Sequence, residues 1–318
     1  MSAARPEAAR PSARRDESLG SVLTALVANM TIAAAKGTAA ALTGSPALFA
    51  ETLHTLADAG NEVLLWVALR RSGRPADPSH PLGYGPERYY WALLAAVGMF
   101  VIGGALSIWE GVRALLEPPP LEAFWVGVAV LVFALALDSV SRAVAVRQLR
   151  RQAAARGTTV RTLLRETPDP TIVTVYLEDS IDVLGAALAL VALVLHRVTG
   201  SAVPDAVVTI IIGMLLGYVA LRLLSRNRRL LANQAVPDRY VVQLRQRLTA
   251  MAGVDEVPRI EAVYLGPGEV LAAADVRMDP HLSGEELTDV LARIRADACR
   301  ELPVIARLYL TPVQAQQR

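Results

Sequence analysis

The sequence predicts a helical membrane protein of six spans followed by a small α+β domain in the cytoplasm. Three observations carry that expectation. The chain of 318 residues is 53% hydrophobic with a mean hydropathy of +0.37, beyond an ordinary soluble domain. Six segments have the length and apolarity to cross a hydrocarbon core of ~30 Å, which takes about 20 helical residues. The connections between them alternate between Arg-rich and nearly Arg-free.

The N-terminal "MSAARPEAARPSARRDES" is polar and Arg-rich, so residues 1–18 are expected to form a disordered cytoplasmic arm. It has no apolar stretch ending in small residues, the mark of a cleavable signal. The spans are expected near 20–43, 47–70, 89–116, 121–146, 170–195 and 203–224, within a transmembrane domain of residues 19–230. Arg5, Arg10, Arg14 and Arg15 sit in the arm, "RRSGRPADPSHPLGYGPER" forms the second loop, and "RQLRRQAAARGTTVRTLLRE" the fourth. "RLLSRNRR" follows the sixth span. By contrast "LTGSPA", "EPPPLE" and "HRVTGSAVPD" hold a single Arg between them. Positive charge stays inside, so both termini are expected in the cytoplasm. Tyr89, Tyr90 and Trp91 suit an interfacial belt at the start of the third span, and Gly213-x-x-x-Gly217 permits close helix contact.

Residues 235–318 change character. "DRYVVQLRQRLTAM" has helical spacing, "RIEAVYLG" and "GEVLAAADVRMD" read as strands around a Pro-Gly turn, and "IARLYLTPV" as a last strand. "SGEELTDVLARIRADACREL" is a helix with Ser283 as N-cap and Glu286 closing the box. The order α-β-β-α-β predicts a small sheet with helices on one face. The single cysteine, Cys299, excludes an intrachain disulfide or a thiolate cluster.

Chemistry concentrates in two spans. "ETLHTLADAGNEV" places Glu51, His54, Asp58 and Glu62 on one helical face, with His54 and Asp58 at i and i+4. A charge at mid-bilayer costs at least ~2.5–3.5 kcal/mol. The stripe must therefore face the bundle interior, a water path or a metal. Either it is a packing seam satisfied by Lys36 of the first span, or it is a ligand set with Lys36 as counter-charge. Asn29 is expected to hydrogen-bond a neighbouring helix. The fifth span repeats the pattern in "TIVTVYLEDSIDVLGAALAL", where Glu178, Asp179 and Asp182 have no Lys or Arg in their own helix. Carboxylates crowded there repel one another, so some hold protons until a cation displaces them. The competing interpretation is an acid cluster that shares protons and only locks packing.

Together the two clusters offer one imidazole and several carboxylate oxygens. That set suits Zn²⁺ and is compatible with Mn²⁺, Fe²⁺ or Co²⁺, whereas the lack of Cys or Met ligands disfavours Cu⁺. No prosthetic group is expected. The chain lacks H-E-x-x-H, which ranks a membrane metalloenzyme low, and its Arg-rich fourth loop suits anionic lipid better than nucleic acid because it lacks interleaved aromatics. A non-transporting metal sensor needs the same ligands and is not separable at this level. Asp138 and Arg142, at i and i+4, are expected to form an ion pair near the inner end of the fourth span.

These residues resemble the cation diffusion facilitator family of divalent-metal transporters. "TGSPALFAETLHTLADAGNEVLLWVAL" is similar to its second-helix motif, "DPSHPLGYGPERYYWALLAAVGMFVIGGALSIWEG" to the loop and helix that follow, and "YLEDSIDVLGAALA" to the Glu-Asp variant of its fifth helix in the zinc-transporter-nine-like branch. The resemblance implies six helices, cytoplasmic termini and a ferredoxin-like C-terminal domain that helps to form a homodimer. It further implies proton-coupled export of a divalent metal, most of all zinc, from the bacterial cytoplasmic membrane. It carries metal ligation onto His54 and Asp58. Gly185, six residues on, places Asp179 at the fifth-helix ligand position and Val175 where the usual motif has His. Glu178, Asp182, Glu51 or water is left to complete the set. At the family's cytoplasmic loop site Asp77 matches but Tyr84 replaces His, so that site is expected to be absent or weak. His281 is the one histidine of the C-terminal domain and is expected to be a turn residue rather than a ligand.

Overall fold

The computed structural model describes residues 13–155 and 157–313. It is helical throughout its first part: α1 (Ala13–Thr43), α2 (Pro46–Ser72), α3 (Glu87–Leu116), α4 (Phe124–Ala155), the short α5 (Val160–Glu166), α6 (Pro170–Thr199) and α7 (Val203–Leu231). Pro46 and Pro170 open their helices, where a missing N–H costs nothing. Of the expected arm, residues 1–12 lie outside the described residues. Residues 13–18 form the first residues of α1, and "ARRDES" contains no Gly or Pro to stop a helix.

Among the described residues four helices are long and apolar enough to cross a membrane: α3, α4, α6 and α7. The helix α2 carries the acidic stripe and does not reach that apolarity. Large apolar side chains stand open on the long helices, including Trp109, Trp125, Phe133, Val140 and Tyr218, as lipid-facing residues do. The helices α4 and α7 run past the expected ends at 146 and 224, because Arg, Gln, Ala and Leu sustain a helix after hydropathy has dropped.

The chain divides into two compact units, residues 1–66, 97–140 and 179–220 in one, and 67–96, 141–178 and 221–318 in the other. In the first, α3 and α7 meet through glycines. A Cβ on Gly104 would lie 3.2 Å from the Gly217 backbone, and one on Gly213 would lie 2.9 Å from the Gly104 carbonyl oxygen. The expected role of Gly213 and Gly217 in close helix contact therefore holds. Here α3 widens into a π-helical stretch, Met99–Ala105.

The second unit contains the C-terminal domain: α8 (Asp238–Thr249), β1 (Val254–Gly266), β2 (Glu269–Met278), α9 (Gly284–Glu301) and β3 (Ile305–Val313). The sheet order is β1-β2-β3, antiparallel between the first two and parallel between the last two. This is the α-β-β-α-β, ferredoxin-like arrangement expected. The Ser283 hydroxyl accepts from the Glu286 N–H and the Glu286 carboxylate accepts from the Ser283 N–H at 2.8 Å, closing the capping box. Alternate residues of β2, Val270 to Met278, are buried against Leu244, Leu248, Ile294 and Ala298 of the two helices.

The domain core also takes in Tyr89, fully buried at the start of α3. The loop before α3 is seated on the same domain. A Cβ on Gly85 would lie 2.1 Å from the Leu265 carbonyl oxygen, so only glycine permits this approach. Arg307 donates to the Pro81 carbonyl at 2.7 Å.

Candidate metal site

The period of α2 sets His54 and Asp58 one turn apart and points both inward; His54 is 0% exposed and Asp58 7%. From α6, Asp182 reaches the same point. His54 Nε2 lies 2.7 Å from Asp182 Oδ1 and 3.4 Å from Asp58 Oδ2. The three side chains offer donor atoms that all fall within 4.8 Å of one another. Donors bound to a tetrahedral zinc at ~2.0–2.2 Å stand about 3.4 Å apart. The His54–Asp58 spacing already equals that edge, and the His54–Asp182 approach is shorter by a fraction of an ångström. Asp58 Oδ1 is buried without a hydrogen-bond partner.

Beside these ligand candidates Lys36 of α1 is almost wholly buried. It donates to Glu51 Oε2 at 2.9 Å and to Thr55 Oγ1 at 3.1 Å. Glu51 is thus the counter-ion of Lys36 and not a member of the group around His54. Its other carboxylate oxygen rests where a side chain on Gly185 would be: a Cβ there would lie 2.2 Å from Glu51 Oε1. The Glu51 carboxylate is pinned by Lys36 and has little room to retreat. Gly185→Ala is accordingly expected to cost roughly 1–3 kcal/mol through overpacking. A lower thermal midpoint for Gly185→Ala than for wild type in the same detergent checks it.

The other predicted residues fall into three groups. Glu178 and Asp179 are half-buried on α6 and do not join the group whose donors lie within 4.8 Å. Of the three acids expected on α6, Asp182, one helical turn after Asp179, is the one whose carboxylate stands at hydrogen-bond distance from His54. Val175 is 40% exposed. Glu62 accepts from Asn29 Nδ2 at 2.9 Å, which ties α1 to α2 farther along. Asp138 and Arg142 form no ion pair among the described residues; Asp138 instead lies within electrostatic reach of Lys36, Asp182, Glu51 and His54.

In the loop before α3, Asp77 accepts from the Ser79 hydroxyl at 2.6 Å and the Tyr84 hydroxyl at 2.7 Å. These hydrogen bonds, from Ser79 and then Tyr84, hold its carboxyl well below the usual range. Tyr84 thus spends the Asp77 oxygen that a histidine would leave for a cation. His281 sits exposed in a turn, its N–H donating to Asp279 at 2.9 Å.

Sequence reasoning missed one buried cluster. Asp205, at 0% exposure in the first turn of α7, accepts from the Ser45 hydroxyl and the Ala47 N–H, both at 3.1 Å. His196 Nδ1 lies 3.3 Å from its other oxygen. A carboxylate there satisfies orphan donors and the dipole at the start of α2. The only hint was an Asp in the first turn of one span and a His in the last turn of another.

A family model described as the cation efflux transmembrane domain matches residues 22–232. The chain is 33% identical over 237 residues to the proton-coupled zinc antiporter SLC30A9, mitochondrial, of Mus musculus, covering 74% of this chain and 42% of that protein. It is 33% identical over 255 residues to metal tolerance protein C4 of Arabidopsis thaliana, covering 80% of this chain and 56% of that one. The chain thus spans about half the length of these relatives. A solved nickel form of a MamM C-terminal-domain variant is similar at 18% identity and a TM-score of 0.24, covering 25% of this chain and 100% of that chain.

Proposed function

The chain belongs to the cation efflux family, and on that premise we propose that it is an integral membrane transporter exporting a divalent metal, foremost zinc, in exchange for protons. The observation that carries the reading is the meeting of His54 and Asp58 of α2 with Asp182 of α6 at one buried point. These three hold the ion. A fourth oxygen comes from Asp179, one turn before Asp182, from Glu178 or from water.

Charge balance supports a divalent cargo. Lys36 and a dication bring three positive charges, and Glu51, Asp58 and Asp182 bring three negative ones, with His54 neutral. When the ion leaves, two carboxylates remain beside an imidazole in a medium that penalises net charge, and protons restore the balance. Metal and protons thereby compete for one site, which is the coupling an exchanger needs. Imidazole with carboxylates favours Zn²⁺ and accommodates Mn²⁺, Fe²⁺ or Co²⁺. The transport body comprises residues 19–230, with α1 and α2 completing six spans; residues 235–318 form a cytoplasmic domain that pairs two copies. The Arg-rich loops support an orientation with both termini in the cytoplasm, and the membrane we propose is a bacterial cytoplasmic membrane.

The test is flux in proteoliposomes carrying the purified chain, with a zinc reporter and a pH dye on opposite sides. Zinc entry accompanied by counterflow of protons, with Mn²⁺, Fe²⁺ and Co²⁺ competing more weakly, is the expected result. Metal binding without flux would instead identify a sensor, and flux indifferent to the proton gradient would remove the exchange mechanism.

A further inference from the structure

We propose that a phosphate group binds in a cavity at the cytoplasmic end of α7, where the α5–α6 connection and the C-terminal domain close over it. The cavity holds about 200 Å³, against the ~10–15 Å³ that a single water needs. Arg165, Arg226, Arg229 and Glu166 line it together with Tyr264 of β1. Nothing in this proposal depends on metal transport.

The charges in its walls do not cancel. Glu166 is engaged by Arg239. Arg165 and Arg229 have no carboxylate partner among the described residues, and Arg229 reaches only the Ser225 hydroxyl at 3.3 Å. Arg226 is committed to the wall: its terminal nitrogens donate to the Leu164 carbonyl at 2.9 Å and to the Thr167 carbonyl. A cation is repelled from such a site, and an anion is drawn to it.

The buried polar groups agree with the charges. Tyr264 is 6% exposed and its hydroxyl has no hydrogen-bond partner; Arg226 Nε is likewise buried without one. Burial pushes the Tyr264 phenol up to about 12, so it remains a neutral O–H at working pH. An unsatisfied buried donor costs about 1–3 kcal/mol. Two of them on residues lining one cavity, beside two unpaired guanidinium groups, match a ligand with several acceptor oxygens and at least one negative charge. Arginine forks favour a phosphate in that role.

The depth of the cavity indicates where phosphate is at hand. From Val203 to Arg226 the helix rises about 35 Å at ~1.5 Å per residue, slightly more than the ~30 Å hydrocarbon core. Arg226 therefore lies at headgroup level. The phosphate belongs either to an anionic lipid headgroup or to free phosphate from the cytoplasm, and the chemistry of the site is the same for both.

The full chain in phosphatidylcholine nanodiscs, with and without phosphatidic acid, and in detergent with inorganic phosphate, distinguishes the sources. Phosphatidic acid, phosphate or both should raise the thermal midpoint of the wild type. Response to the lipid alone assigns the headgroup, and response to inorganic phosphate assigns the free ion. Arg165→Gln combined with Arg229→Gln should weaken the effective ligand at least tenfold. Tyr264→Phe should weaken it severalfold while leaving the ligand-free midpoint unchanged or higher, since a hydroxyl without a partner is removed. No response of the wild type to either ligand would overturn the proposal. So would wild-type affinity in both variants, or a Tyr264→Phe protein that is destabilised yet binds normally.

Discussion

His54→Ala and Asp182→Asn are each expected to reduce metal flux in proteoliposomes to below about a hundredth of wild type, with the helical circular-dichroism signal intact. Loss of a supporting group around a metal typically costs 10–100-fold, so loss of a ligand should cost at least the upper figure. The two variants alter side chains whose polar atoms stand 2.7 Å apart, one by removing the imidazole and the other by removing the carboxylate charge, and both leave the Lys36–Glu51 pair untouched. Asp179→Asn separates the two ways of aligning α6. If Asp182 is the ligand, Asp179→Asn keeps flux within about tenfold of wild type. Abolition by Asp179→Asn together with normal flux in Asp182→Asn would return the site to the alignment inferred from Gly185.

Lys36→Met should be the most destabilising single change in the bundle, at about 3–5 kcal/mol, because it leaves Glu51 buried and unpaired. The ion pair is 2.9 Å long with both side chains at 2% exposure or less, so water cannot take over from the lost ammonium. Removing both charges should be far milder. Lys36→Met with Glu51→Leu replaces a buried pair by apolar groups of similar size, which is often near neutral. Thermal midpoints of the two single variants and the double variant give the coupling directly. A double variant as unstable as the sum of the singles would show that the pair contributes no coupling and that Lys36 and Glu51 act through other contacts.

What was legible in the chain was what short-range periodicity controls. His54 and Asp58 share a face because they are four residues apart, and Ser283 caps α9 because Glu286 lies three residues on. The strands β2 and β3 fell where the apolar pattern put them, whereas β1 begins at Val254, five residues before the expected stretch. Lys36 was identifiable as a counter-charge because an isolated ammonium in an apolar span needs a partner. Which of Glu178, Asp179 and Asp182 meets His54 depends instead on how α6 is rotated about its axis, and neighbouring acids on one helix differ only by that rotation. The π-helical stretch of α3 answers to glycine contacts with α7, hence to tertiary packing. Asp205, His196 and Ser45 come together from three helix ends, and no local pattern connects them.

Tyr89 illustrates the same limit and has a consequence of its own. Its side chain is fully buried and belongs to the hydrophobic core of the C-terminal domain although it lies in the first turn of a membrane helix. An excised C-terminal fragment, lacking that phenol, would present a hollow in its hydrophobic interior and should be stickier and softer than the same fold in the intact chain. By the same token the aromatic acts as a dowel: whatever shifts the sheet must tug on the root of α3 or else pull the ring out.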